Sequence, residues 1–132
     1  MKYDEFIGQV QHRARLDSRG AAVRATRAVL EVLAERIHPG ERSNLCAQLP
    51  EEIALYLERN PEPERFGLDE FFERVSEHEG SPPSKAVHHA RAVISVLQDA
   101  VSSGQIEDVR AQLPEEYAPL FESGSEGTMP TS

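Results

Sequence analysis

AVRATRAVLEVLAERIHPGERSNLCAQLPEEIALYLE at residues 22–58 and AVHHARAVISVLQDAVSSGQIEDVRAQLPEEYAPLFE at 86–122 are two versions of one pattern. Set together at a constant offset of 64, without a gap, they pair Ala22 with Ala86, Val23 with Val87, Arg27 with Arg91 and Ala28 with Ala92. Val29 and Val93, Val32 and Val96, Leu33 and Leu97, and Gly40 and Gly104 also coincide. The run AQLPEE then stands at both 47–52 and 111–116. Upstream, DEFIGQV (4–10) matches DEFFERV (69–75) at an offset of 65. A period of this size marks a supersecondary unit written twice, each copy relying on a neighbour to bury its apolar face.

Within each unit the apolar spacing is helical. Phe6, Ile7 and Val10, like Phe71, Phe72 and Val75, give short first helices near 3–13 and 68–78. The stripe Val23, Thr26, Leu30, Leu33, Ile37 recurs as Val87, Ala90, Ile94, Leu97, Val101, which predicts long second helices near 19–37 and 83–101. Asp17 or Ser18 is placed to cap the first of these, and Ser81-Pro82-Pro83 opens the second. Gly40 and Gly104 are expected to close the long helices in left-handed backbone. Third helices should follow near 41–48 and 105–112. Pro50 and Pro114 then suit the first position of a fourth helix, with glutamates where its dipole favours negative charge.

The expected fold is therefore all-α: a helical bundle of two tandem four-helix repeats packed with pseudo-twofold symmetry. Its expected divisions are a first repeat at 1–59, a linker at 60–67, a second repeat at 68–122 and a disordered tail at 123–132. RATRAVLEVLAERIHPGE, followed by AQLPEE and later AQLPEEYAPLFE, resembles the bacterial and archaeal domain of unknown function 2267 along almost the whole chain to about residue 122. The resemblance implies a small helical domain, often doubled in this way. It implies no agreed activity, cofactor or catalytic residue.

Bulk properties narrow the function classes. The chain has 132 residues, 39% hydrophobic and 28% charged, which are ordinary globular values. It has no Trp and only 6% aromatic residues, which points to a core of small aliphatic side chains. No stretch reaches the roughly 20 apolar residues of a membrane span, and MKYDEFIGQV lacks a signal peptide's pattern, so the expected location is cytoplasmic. The net charge of −9 opposes phosphate backbones and disfavours nucleic acid. Residues 1–65 hold 10 Lys+Arg against 11 Asp+Glu, a net of −1; residues 66–132 hold 4 against 12, a net of −8.

The candidate chemistry is thin. Cys46 is the only cysteine, which excludes an internal disulfide, and its setting between Leu45 and Ala47 predicts burial. Of the histidines 12, 38, 78, 88 and 89, no two stand four apart on one helix, so neither a metal nor any other cofactor is expected. A residual arrangement would bring His78, Glu79 and His88 together across the Ser81–Ser84 loop. The serines fall at helix ends, where capping accounts for them, and no enzyme site is recognisable.

Two sets of residues stand out. Repeat-equivalent Arg27 and Arg91 are expected to form structural ion pairs, Arg27 with Glu51 or Glu52 and Arg91 with Glu115 or Glu116. The basic cluster His12, Arg13, Arg15 and Arg19, continuing to Arg24 and Arg27, is the candidate partner contact. The leading expectation is a non-catalytic protein-protein interaction module with an unknown protein partner. The alternatives are an enzyme or small-ligand binder with an unrecognised site, and weak binding of nucleic acid or another anionic partner through residues 13–27.

Overall fold

The computed structural model describes residues 1–58 and 62–122; the tail at 123–132 and part of the linker lie outside the described residues. Among these residues there are eight α-helices, one 3-10 turn and no strand. In order they are α1 (Tyr3–Arg13), α2 (Arg19–Arg36), α3 (Pro39–Gln48), α4 (Glu51–Ala54), α5 (Leu68–Glu79), α6 (Pro83–Ala100), α7 (Ser103–Ala111), the 3-10 turn Glu115–Tyr117 and α8 (Ala118–Phe121). No helix is long and apolar enough to cross a membrane.

The boundaries follow local chemistry. The Ser18 hydroxyl accepts a bond from the Ala21 amide and starts α2. Pro83 occupies the first turn of α6, where its missing N–H costs nothing. Gly40 and Gly104 do not close the long helices as expected: they lie inside α3 and α7 with ordinary backbone. The long helices stop instead at Ile37 and Val101, which are extended and turn their side chains into the core. A left-handed glycine is unnecessary where an extended apolar residue already redirects the chain. Left-handed backbone occurs at Gly80, ending α5, and at Arg15. The fourth helices are shorter than the pattern suggests. In the second, a 3-10 turn precedes α8, where Pro119 lacks an amide for the ladder.

The packing is interlocked. α2 packs against α1 but also against α5 and α6, while α1 reaches across to α6. A single hydrophobic cluster runs through every α-helix, with Val29 and Leu33 of α2 and Val93 and Leu97 of α6 fully buried in it. Small alanines, Ala25 and Ala28 on α2 and Ala90 and Ala92 on α6, are buried along the same helices. Truncating such a leucine to alanine typically costs roughly 2–5 kcal/mol.

The linker is part of this body. The Glu64 amide bonds to the Glu35 carbonyl at 2.9 Å, and Phe66 is 7% exposed. The Phe66 ring lies 3.9 Å from the Arg74 guanidinium carbon. Its carbonyl accepts from Arg36 Nε at 2.9 Å and from the Tyr117 hydroxyl at 2.7 Å. Burial pushes the Tyr117 phenol up to about 12, against the opposing effect of Arg36, so it remains a hydrogen-bond donor.

Candidate functional site

The polar residues form three groups, all at helix contacts. In the first, His78 on α5 faces two carboxylates of α2, with Nδ1 3.1 Å from Glu31 and Nε2 3.3 Å from Glu35. Arg74, one turn earlier, bonds to Glu35 at 2.8 Å, Glu64 at 3.0 Å and Glu70 at 2.6 Å. Those three carboxylates raise its pKa further and fix its guanidinium over Phe66. On the other side, Arg13 of α1 reaches α6, with bonds of 2.8 Å to Ser95 and 2.5 Å to Asp99. Only 13% of its side chain is exposed.

The second group joins α3 to α7. Gln112 Oε1 accepts from the His38 amide at 3.0 Å, and Gln48 Oε1 accepts from the Ser102 amide at 2.7 Å. Each glutamine of an AQLPEE run thus satisfies the chain entering the opposite third helix, where N–H groups lack helical partners. Gln105 adds a bond of 2.5 Å to Glu41.

The third group is buried between α5 and α6. His89 Nδ1 lies 2.7 Å from Glu79, whose side chain is 6% exposed, and the Ser81 hydroxyl donates to the same carboxylate at 2.6 Å. Burial alone would raise the Glu79 pKa. The bonds from His89 and Ser81, helped by the charge of Arg24, outweigh it and hold the carboxyl below its ordinary range. The Ser81 hydroxyl and the His89 ring thus share the two oxygens of one carboxylate. Next along the helix, His88 is held below its usual range by burial and by the charges of His89, Arg15 and Arg91.

These groups correct several expectations. His78, Glu79 and His88 do not converge: His78 turns to α2 and Glu79 takes His89. Among the described residues no cluster of three His, Cys, Asp or Glu could hold a metal ion. Arg27 pairs with Glu31 at 3.1 Å, one turn along its own helix, and is largely exposed. Glu51 and Glu52 are exposed, as are Glu115 and Glu116. Arg27 points outward between the apolar stripes, and a carboxylate one turn away is its cheapest partner. Arg91 is half-buried on α6 beside His88.

The basic cluster is also divided. Arg13 turns inward to α6, while Arg19 pairs with Asp4 and lies over the Tyr3 ring at 5.6 Å. His12 and Arg15 remain exposed. Cys46 is half-buried rather than buried; its thiol donates to the Ala54 carbonyl at 3.5 Å, and burial pushes its pKa up.

Among the clefts on the surface of the described residues are two of several hundred Å³. One, of about 570 Å³, lies between the end of α2, the linker and the turn before α8. Its polar groups are largely engaged in the fold, Arg36 with Phe66, Glu64 with Arg74, and Gln112 with His38. The other, of about 440 Å³, is bounded by residues 1–4 and by Pro50, Glu51 and Glu52. One turn beyond Glu51, Leu55 is 59% exposed, with half-buried Tyr56 beside it.

The helical order and the placement of both AQLPEE runs coincide with a match to a family model, described as Uncharacterized conserved protein (DUF2267), over residues 3–120. The chain belongs to the DUF2267 family. No curated protein matches it. Membership leaves the activity to be argued from the surface.

Nothing in the sequence pattern drew attention to Gln48 and Gln112 individually, although their runs were the longest identity between the units. Leu55 was legible only by comparison: it aligns with Pro119, the one apolar position of that segment where the second unit carries a proline.

Proposed function

We propose that this DUF2267 chain is a non-catalytic protein-protein interaction module, built from two tandem helical units that interlock about a pseudo-twofold axis. Reciprocal contacts support the symmetric arrangement. At the offset of 64, Gln48 corresponds to Gln112 and His38 to Ser102, so the two inter-unit caps are one bond made twice. At 65, Arg13 corresponds to His78; at 64, Glu31 and Glu35 correspond to Ser95 and Asp99. Each first helix thus clasps the same two positions of the other unit's long helix.

The observation that carries the interaction reading is Leu55, at 59% exposure, on the same helical face as Glu51 and beside an open cleft. Most of its side chain faces solvent, and the equivalent Pro119 is exposed too. Together with half-buried Tyr56 and the adjoining cleft, Leu55 offers a partner an apolar contact within an acidic surface.

Affinity capture from a native extract on the immobilised chain tests the reading. The expected result is a protein that is displaced by excess soluble chain and re-forms the complex when both are purified. Specific turnover or tight binding of a small metabolite, with no competable protein, would overturn it.

A further inference from the structure

We propose that the corner where the end of α1 meets the first halves of α2 and α6 binds a short acidic segment of a protein partner, through Arg15, Arg24, Lys85 and His88. This rests on the interaction reading above and adds a contact of different chemistry, at the opposite end of α1 from the cleft beside Leu55.

The charge is legible along the chain and gathered by the fold. Residues 81–98 contain Lys85 and Arg91 and no carboxylate, and residues 12–30 contain Asp17 as their one carboxylate, in a chain whose net charge is −9. α6 packs on both α1 and α2, which brings the two stretches together. Lys85 and Arg91 stand three residues to either side of His88 and so share its side of α6. Burial, followed by the charges of His89, Arg15 and Arg91, holds the His88 imidazole below its usual range, against the opposing effect of the Ala14 carbonyl. Arg24 acts on Glu79, the carboxylate that bonds the adjacent His89.

Little of this charge is spent inside the fold. Arg13, Arg19 and Arg27 are taken by Asp99, Asp4 and Glu31. Glu79, with a side chain 6% exposed, has both oxygens bonded, one by His89 and one by Ser81. Asp17 is exposed. Among the described residues no carboxylate bonds Arg15, Arg24 or Lys85, and all three are exposed.

The backbone at Arg15 points the same way. Arg15 ends α1 in left-handed conformation at φ 54, and its equivalent at the offset of 65, Gly80, ends α5 at φ 74. That conformation is unfavourable for a side chain and readily adopted by glycine. The first unit thus carries a guanidinium where the backbone favours glycine, with no bond to a carboxylate in the fold to offset the difference. A ligand outside the fold is what such an arginine is placed to hold.

Guanidinium forks and an ammonium around a half-buried imidazole suit carboxylates. The positive surface is a few residues wide, and the chain beyond it is acidic. A long polyanion would run on over repelling carboxylates, whereas a few consecutive Asp or Glu residues fit within the corner.

The test uses the full chain with hexaglutamate and hexaglutamine peptides, in fluorescence polarisation and amide chemical-shift mapping at low salt. Hexaglutamate should bind saturably and hexaglutamine should not, with binding weakening as salt rises. Shifts should concentrate at residues 12–16, 24 and 84–91. Arg15→Gly should weaken binding about tenfold while keeping or raising the melting temperature, and Arg15→Lys should restore most of the affinity. Arg65→Gln, which removes an exposed cation of the linker, should leave the affinity unchanged.

Equal binding of the two peptides, shifts mapping elsewhere, no saturation by about 1 mM peptide, or an Arg15→Gly affinity within about twofold of wild type would overturn the proposal. So would a lower melting temperature in Arg15→Gly, which would give the side chain a role in the fold. Tighter binding of inorganic phosphate or a single-stranded oligonucleotide than of hexaglutamate would assign the corner to phosphate instead, and self-association lost in Arg15→Gly on sedimentation would assign it to a second copy. A protein captured equally well by wild type and by the double variant Arg15→Gly, Arg24→Gln would leave the interaction reading standing and remove this corner from it, while no captured protein at all would remove both.

Discussion

Replacing Arg13 with methionine separates its two readings, as a surface cation awaiting a partner or as a clasp between α1 and α6. Methionine keeps much of the apolar stem and removes the guanidinium. The bond to Ser95 is made where that serine is 6% exposed, and losing a partly buried, charge-assisted bond costs about 1.5 kcal/mol at the low end of its range. The pair with Asp99 is worth less, about 0.5 kcal/mol, because that carboxylate is 56% exposed and screened by solvent. The bond to Gln9 at 3.2 Å adds a few tenths at most, roughly. Arg13→Met should therefore lose about 2 kcal/mol. In urea denaturation followed by circular dichroism, the midpoint should fall with the slope unchanged. The melting temperature should drop by roughly 5–10 °C for a chain of this size. High salt should weaken the Asp99 pair in the wild type and narrow the difference by that share only, and a double-mutant cycle with Ser95→Ala should give a coupling of about 1 kcal/mol. A loss below about 0.5 kcal/mol, with no coupling to Ser95, would refute the clasp and return Arg13 to the exposed basic cluster.

Gln48→Ala and Gln112→Ala should each destabilise by about 1 kcal/mol and speed hydrogen exchange at the Ser102 and His38 amides respectively; unchanged exchange at those amides would show that the caps do not form in solution. Because the Glu79 carboxyl is held below its ordinary range in the folded state, its contribution is fully present above the unfolded-state pKa and is lost as pH falls through the folded value. Stability measured downward from pH 6 should therefore fall more steeply in wild type than in Glu79→Gln, and parallel curves would contradict the pairing. Arg15 has φ 54, a left-handed conformation that ends α1 with bonds from the Arg15 and Leu16 amides to His12 and Gln11. Arg15→Gly should raise stability by about 0.5–1 kcal/mol in thermal unfolding, glycine's greater unfolded-state freedom offsetting part of the gain. A decrease would mean that the Arg15 side chain supports the fold.

The amino-acid sequence by itself determined the helical framework. Apolar spacing placed α1, α2, α5 and α6 to within a residue or two, because an amphipathic stripe long enough to bury is a local property of the chain. Ser18 and Pro83 were legible for the same reason, as the groups they satisfy or spare are neighbours in sequence. Gly40 and Gly104 misled because whether a helix end needs a left-handed residue depends on what the next side chain finds to bury, and Ile37 and Val101 find the shared core. The polar pairings were settled only by the tertiary structure. Arg13 with Ser95, His78 with Glu31 and Glu35, and Gln112 with His38 bridge residues far apart in sequence, and nothing local distinguishes these side chains from solvated ones. The exposure of Leu55 belongs with them, since an apolar residue in a short helix reads as core until the helix it would pack against is seen to lie on the other side.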